Sequence, residues 1–299
     1  KAEIIKKYPF DETLQYAEDV KVINEILLKK GRYGILNNAE YLYRRRETGD
    51  SAIQNTRSSK NWYFDALSNS FLYLLDICKK TFSRIPLYYQ YLVMYDLQFR
   101  LKQTGLEILT TEEKKKYLLL IRKALQYIED KVIFDQQFFS TEHKLFALSL
   151  KYNKSINQII TELTNKDDRT YFRDQEIPFF DPIKLDIRNF KTNNQGILLE
   201  GLLKSFLPLN KTKIYTIKNR KRINLAYTKY SNADQFALEQ KLFTGYSFKI
   251  HLTISSKDTI HWEAEFNNTK IPIRYYFSRG LESRFFVDKK VKKIIRFVN

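Results

Sequence analysis

Two acidic residues stand side by side at positions 18 and 19, in the stretch YAEDVKVINEILLKK. Glu18 and Asp19 fall where apolar residues begin to recur at helical spacing, which puts them in a helix's first turn. Carboxylates there complement the positive end of the helix dipole. The same place also fixes a carboxylate well enough to take a proton from a bound hydroxyl, which needs approach to about 2.6–3.2 Å. Residue type alone leaves both readings open. A second cluster, Tyr43-Arg44-Arg45-Arg46 with Ser51 close behind, is either a solvated basic surface or a set of cations for developing negative charge. If residues 41–46 form a strand, Arg44 and Arg46 share one face and Arg45 points away.

Other catalytic devices are missing from the sequence. Glycine is scarce, with 8 in 299 residues, and neither G-x-G-x-x-G nor G-x-x-x-x-G-K-[ST] occurs. There is no H-E-x-x-H, EF-hand loop or G-x-S-x-G elbow. The single cysteine, Cys78 in FLYLLDICKK, excludes a disulfide or cysteine zinc site within the chain and reads as a small buried hydrophobe. His143 falls in a helix, whereas His251 and His261 fall on strands where a hairpin would pack them together. No third donor lies near that pair, so packing outweighs metal binding and no metal ligands are identified. No apolar run approaches the roughly 18–20 residues that span a bilayer, and no signal-peptide pattern opens the chain. A reducing, cytoplasmic compartment is expected.

The elements that must position these residues fall into three regions. Residues 1–57 hold a helix over about 12–30, a break at Gly31 and Gly34, and the strand-like EYLYRRR. Residues 58–165 are helical in period, with serine and threonine caps, acids in first turns, and Asp96 and Arg100 spaced to pair on one helix. Their many aromatics read mainly as core, with Trp62, Tyr63 and Tyr88 the first to test for contact with carbohydrate or a membrane interface. NKDDR at 165–169 reads as a boundary. From 170 to 299 the period changes to two, in short segments separated by turn residues, which predicts a sandwich-like antiparallel β domain. The fold class expected is α+β.

Net charge is +18, and residues 171–299 carry 24 Lys+Arg against 12 Asp+Glu. Such a field favours an anionic partner. The clusters KNRKR (218–222) and DKKVKK (288–293) suit a polyanionic glycan or an anionic membrane surface, against the duller reading of solubilising lysines on edge strands. Nucleic acid rests on charge alone, with no recognisable module, and is not expected as a partner.

The run FDETLQYAEDVKVINEILLKKGRYGILNNAEYLYRRRETGDSAIQ resembles the acceptor-side half of a family 2 glycosyltransferase of the GT-A fold. With WYFDAL and YYQYLVMYDLQFRL it is most similar to enzymes of bacterial teichoic acid and capsule synthesis, which also occur fused to CDP-glycerol glycerophosphotransferase-like domains. The resemblance covers residues 8–153 and, more loosely through LDIRNF…LLEG, the β region. It implies an inverting transfer from a nucleotide sugar to a polymer acceptor, with Asp19 as general base and Glu18 holding the acceptor or a neighbouring group. A short strand would follow at 33–36. Tyr43, Arg44, Arg46 and Ser51 would then bind substrate.

The resemblance also implies a divalent metal, Mg or Mn, in the full enzyme. Arg46 stands about where many members carry a histidine, and no D-x-D motif occurs. The sequence opens without Met and reads as a fragment whose donor-binding half is missing, inactive alone, and peripheral on the inner face of the cell membrane. The rival reading is a non-catalytic helical linker and β module that binds an anionic glycan, a membrane surface or a partner domain.

Overall fold

The computed structural model describes residues 2–34, 37–38, 40, 58–166, 169–178, 180–193, 196–253, 259–271, 273–278 and 296–297. The chain divides into two compact units, Lys1–Phe138 with Leu150–Asn153, and Phe139–Ser149 with Lys154–Asn299. Helices together with sheets, in sequence-separated regions, make it an α+β protein.

The first unit is helical. It contains α1 (Ala2–Lys7), α2 (Glu18–Lys30), α3 (Lys60–Tyr63), a π-helical stretch (Ala66–Leu72) leading directly into α4 (Tyr73–Thr81), then α5 (Leu87–Leu101), α6 (Thr111–Gln126) and α7 (Asp130–Phe134). On α5, Val93, Leu97 and Leu101 recur at a four-residue spacing and are fully buried, together with Leu74 and Leu75 of α4 and Ile121 and Leu125 of α6. Thr110 caps α6 in a capping box with Glu113, as the TTEE sequence predicts.

A cation lies inside this core. Arg100 has no exposed surface, and its guanidinium pairs with Asp96 one turn earlier on α5. It also donates to the Trp62 carbonyl at 2.6 Å and lies 4.1 Å from the centre of the Trp62 ring. Burial opposes the Arg100 charge, but Asp96 and the Tyr117 hydroxyl beside it hold its pKa above the ordinary value. The aromatic cluster closes with Tyr63 edge-on to Tyr117 at 5.1 Å. Three helices, α3, α5 and α6, thus meet at one guanidinium.

The second unit begins with α8 (Thr141–Tyr152, of which residues to Ser149 belong here) and α9 (Ile156–Thr161), the latter capped by Ser155 and Gln158 in a second capping box. A small sheet follows: β1 (Leu163–Lys166), β2 (Arg169–Phe172) and β3 (Gln175–Glu176) in that order. Asn165 and Lys166 therefore belong to β1 and Arg169 to its partner β2, both in this unit. The remaining strands are β4 (Ile183–Asn193), β5 (Gly196–Ser205), β6 (Thr212–Lys218), β7 (Lys221–Asn224), β8 (Tyr227–Lys229), β9 (Gln235–Ala237), β10 (Gln240–Leu252), β11 (Thr259–Phe266), β12 (Thr269–Ile271), β13 (Ile273–Phe277) and β14 (Arg296–Phe297). One sheet runs β13-β4-β5-β10-β8 with β9 beside β10; the other runs β12-β11-β6-β7 with β14 beside β11. Pairings are antiparallel except β13 with β4 and β14 with β11.

Alternate residues fill the β core: Ile183, Leu185 and Ile187 on β4, and Ile260, Trp262 and Ala264 on β11. One residue separates β12 from β13, yet they belong to different sheets, so the chain changes sheet there. Across that change the Trp262 and Tyr275 rings lie 4.7 Å apart.

Two sequence expectations are corrected. The helix expected from residue 12 begins at Glu18, because Ala17 adopts a left-handed conformation (φ 62°) that the helix cannot continue through. His251 and His261 do not face each other across a hairpin, because β10 pairs with β5 and β11 with β6. Their strands alternate as expected but belong to different sheets.

Asp96→Ala leaves the Arg100 guanidinium buried without its counter-ion. It is expected to destabilise the protein by about 3–5 kcal/mol in urea unfolding, the usual penalty for breaking a buried pair. A loss below about 1 kcal/mol would show that the pair is dispensable.

Candidate functional site

The start of α2 is built by three anchors and a strained turn. Leu14, Tyr16 and Val22 are buried and fix the chain on both sides of Ala17. Ala17 is the N-cap, and its side chain cannot cap the helix. A left-handed alanine costs about 1–2 kcal/mol, so the surrounding structure must hold it. Ser70, fully buried in the π-helical stretch, does so by donating its hydroxyl to the Ala17 carbonyl at 3.0 Å. Such π stretches are frequent where a helix serves a site.

Glu18 and Asp19 follow immediately and diverge. Asp19 is exposed; one of its oxygens accepts the Val20 amide at 2.7 Å, and the other has no partner among the described residues. Glu18 is half-buried and lines a cavity of about 230 Å³ with Lys7, Tyr8, Asp11, Lys21 and Glu25. Lys21 bridges this cavity. Its ammonium donates to Asp11 at 2.7 Å and lies 4.6 Å from the centre of the Tyr73 ring. The Lys21 ammonium and the Thr13 hydroxyl and amide bring the Asp11 carboxyl down to about 2. Partial burial and the neighbouring Glu25 carboxylate push the Tyr73 phenol up to about 12. The start of α2 therefore presents one solvent-facing carboxylate, Asp19, and one carboxylate, Glu18, on a cavity lined by charges of both signs.

Of the other sequence-predicted residues, Tyr43, Arg44, Arg46 and Ser51 lie outside the described residues. Tyr33 and Gly34, half of the expected short strand, have no regular secondary structure, and Ile35 and Leu36 lie outside the described residues. Among the described residues no group of three or more His, Cys, Asp or Glu is placed to hold a metal ion. The divalent metal that the resemblance implies for the full enzyme therefore has no ligand set among the described residues. Cys78 is free and buried, and burial raises its thiol to about 11, which suits a core residue. Among the described residues no helix is long and apolar enough to cross a membrane.

Sequence reasoning missed Asp11, Lys21 and Ser70. Asp11 and Lys21 are ten residues apart across a turn, and Ser70 reaches Ala17 from 53 residues away. The only signal was local: Glu18, Lys21 and Glu25 recur at helical spacing, so they share a face.

No protein-family model matches the chain. It is 31% identical over 255 residues to the minor teichoic acid biosynthesis protein GgaB of Bacillus subtilis, covering 84% of this chain and 28% of that protein. It is 27% identical over 131 residues to the minor teichoic acid biosynthesis protein GgaA of the same organism, covering 42% of this chain and 29% of that one. The chain is a relative of teichoic acid biosynthesis proteins, the group its sequence resembles. It spans less than a third of the length of either relative. A crystal structure of Staphylococcus aureus TarS 217–571 overlays 72% of this chain and 66% of that one at 10% identity, with a TM-score of 0.32, too low for a common overall arrangement.

The depressed Asp11 carboxyl gives a pH test. Because Asp11 titrates near 2 in the folded protein and 3.8 when free, its contribution is complete above the free value and lost as pH falls through the folded one. The thermal midpoint should therefore drop between about pH 4 and pH 2, and Asp11→Asn should remove part of that drop. Identical acid profiles for parent and variant would refute the Lys21 tie.

Proposed function

We propose that this chain is the acceptor-side part of an inverting glycosyltransferase that extends or decorates a bacterial teichoic-type surface polymer. The observation that carries the reading is the 31% identity to GgaB across most of the chain. The geometry adds to it. A strained, serine-braced turn at Ala17 opens α2 immediately before the Glu18–Asp19 pair, and strain of this kind clusters at working sites. Asp19 takes the proton from the acceptor hydroxyl as that oxygen attacks the anomeric carbon, and the unpaired oxygen facing solvent is available for it. Glu18 orients the acceptor from the neighbouring cavity. Tyr43, Arg44, Arg46 and Ser51 would bind substrate, the arginines meeting the charge of the leaving nucleoside diphosphate.

The GT-A class, the nucleotide-sugar donor and a divalent metal belong to the same proposal. No D-x-D motif or glycine-rich phosphate loop occurs in these 299 residues, which supports a donor site elsewhere in the full-length enzyme. The basic β unit serves this reading as the arm that holds an anionic glycan or the inner membrane surface. Arg220 and Lys221 are exposed at the β6–β7 turn, but Arg222 is held by Glu263 at 2.9 Å and Glu265 at 2.8 Å.

Asp19→Asn in the full-length enzyme is expected to lower transfer by about 10²-fold or more with an unchanged melting temperature, since Asp19 is exposed. Unchanged turnover would sink the base assignment. For the β unit, affinity for purified teichoic acid should fall steeply with salt, as counterion release from a basic surface requires. Binding that does not change with salt would refute the electrostatic role.

A further inference from the structure

A second cavity lies at the opposite end of α2 from the acid pair. It measures about 440 Å³, within the range of small-ligand pockets. Leu27 and Phe82 line its apolar interior, with Tyr89 as a buried floor whose hydroxyl donates to the Asn24 carbonyl at 3.4 Å. Gly31 ends α2 in a left-handed conformation (φ 68°), and this turn swings Arg32 and Tyr33 over the opening. Tyr33 is 70% exposed and Tyr88 42% exposed, their ring centres 6.5 Å apart. Arg32 is exposed and has no ion pair among the described residues.

We infer that this groove binds a phosphorylated sugar unit of the polymer acceptor. The chemistry of the lining selects that occupant. The C–H faces of a pyranose stack on tyrosine rings, the two phenols at the rim can meet its hydroxyls, and an unpaired guanidinium matches a phosphate in a bidentate fork. An acyl chain would leave the polar rim without partners, and a bare anion would leave the rings without cover. The groove lies eight to twelve residues along α2 from Asp19, or about 12–18 Å at the helical rise. It therefore grips the acceptor some units away from the reacting hydroxyl and sets the register of the chain. That placement rests on the glycosyl-transfer reading; the binding itself does not.

The test uses the full chain with glucose 1-phosphate, glucose and inorganic phosphate as probes, read by titration calorimetry and by saturation transfer from protein to sugar protons. Glucose 1-phosphate should bind more tightly than either of the other two. Tyr33→Ala combined with Tyr88→Ala should weaken it by about tenfold and abolish saturation transfer. Arg32→Gln should bring glucose 1-phosphate down to the affinity of glucose and leave glucose unchanged. Asp19→Asn should leave all of this intact, so loss of the base assignment and loss of the groove register separately. The inference is overturned if no probe binds, if the tyrosine variant binds as the parent does, or if inorganic phosphate alone binds as tightly as the sugar phosphate. It is also overturned if the tyrosine variant loses phosphatidylglycerol vesicles while keeping the sugar phosphate.

Discussion

The helical unit is organised around a charge that it cannot release. Arg100 is enclosed on every side, and an enclosed guanidinium must keep its counter-ion and its acceptors in place or lose several kcal/mol. Asp96 supplies the counter-ion from the same helix, so that part of the arrangement is local. The other contacts are not local: Trp62 and Tyr117 come from segments before and after α5. A leucine at position 100 would tolerate many packings of these helices. An arginine tolerates few, because only one arrangement brings the Trp62 carbonyl, the Trp62 ring and the Asp96 carboxylate to it together.

That specificity is transmitted along the chain. Trp62 belongs to α3, which ends at Tyr63, with two residues between it and the π-helical stretch that carries Ser70. Holding Trp62 on Arg100 therefore anchors the chain a short way before the segment from which Ser70 reaches α2. The wider π turn changes the azimuth of Ser70 relative to an uninterrupted α-helix. Ser70 in turn stabilises the Ala17 carbonyl in a turn that alanine disfavours by itself. The outcome is an α2 whose first carboxylates emerge directly from a braced backbone with no side-chain cap between them and solvent. A serine or aspartate at position 17 would satisfy the first amides itself and compete with Asp19 for them.

The parts of this arrangement that were legible in the sequence are those with short range. Capping boxes at Thr110 and Ser155, the Asp96–Arg100 spacing, the glycine stop at Gly31 and the switch from helical to two-residue period are all visible within a window of a few residues. The hairpin turn at Asn267–Asn268 was also readable, because asparagine tolerates the left-handed conformation both residues adopt. Leu238–Glu239 makes the same kind of turn with residues that carry no such signal; neighbouring strands impose it. Of the candidate site, the acid pair was legible, but its division was not. Glu18 enters a cavity and Asp19 faces solvent because Asp11, from the turn ahead of the helix, ties to Lys21 over one side of α2 only. Strand pairing was hidden for the same reason: His251 and His261 are near in sequence, yet each strand found its partner in an earlier segment.

Charge gives the clearest case of composition overstating function. The excess of +18 suggests a strong polyanion binder, but several of the cations are committed internally. Arg222 is clamped between Glu263 and Glu265 and lies 5.0 Å from the centre of the Tyr215 ring, so releasing it to a ligand would break two ion pairs. Lys184 is held by the buried Glu142, whose carboxyl burial pushes up but which the Lys184 ammonium keeps below its usual range. Exposed cations among the described residues, such as Arg220 and Lys221, are screened by salt within about 8–10 Å. Charge alone attracts any polyanion. Discrimination for one repeating polymer must then come from groups that read a sugar's shape and hydroxyls, and aromatic rings beside an uncommitted guanidinium are of that kind.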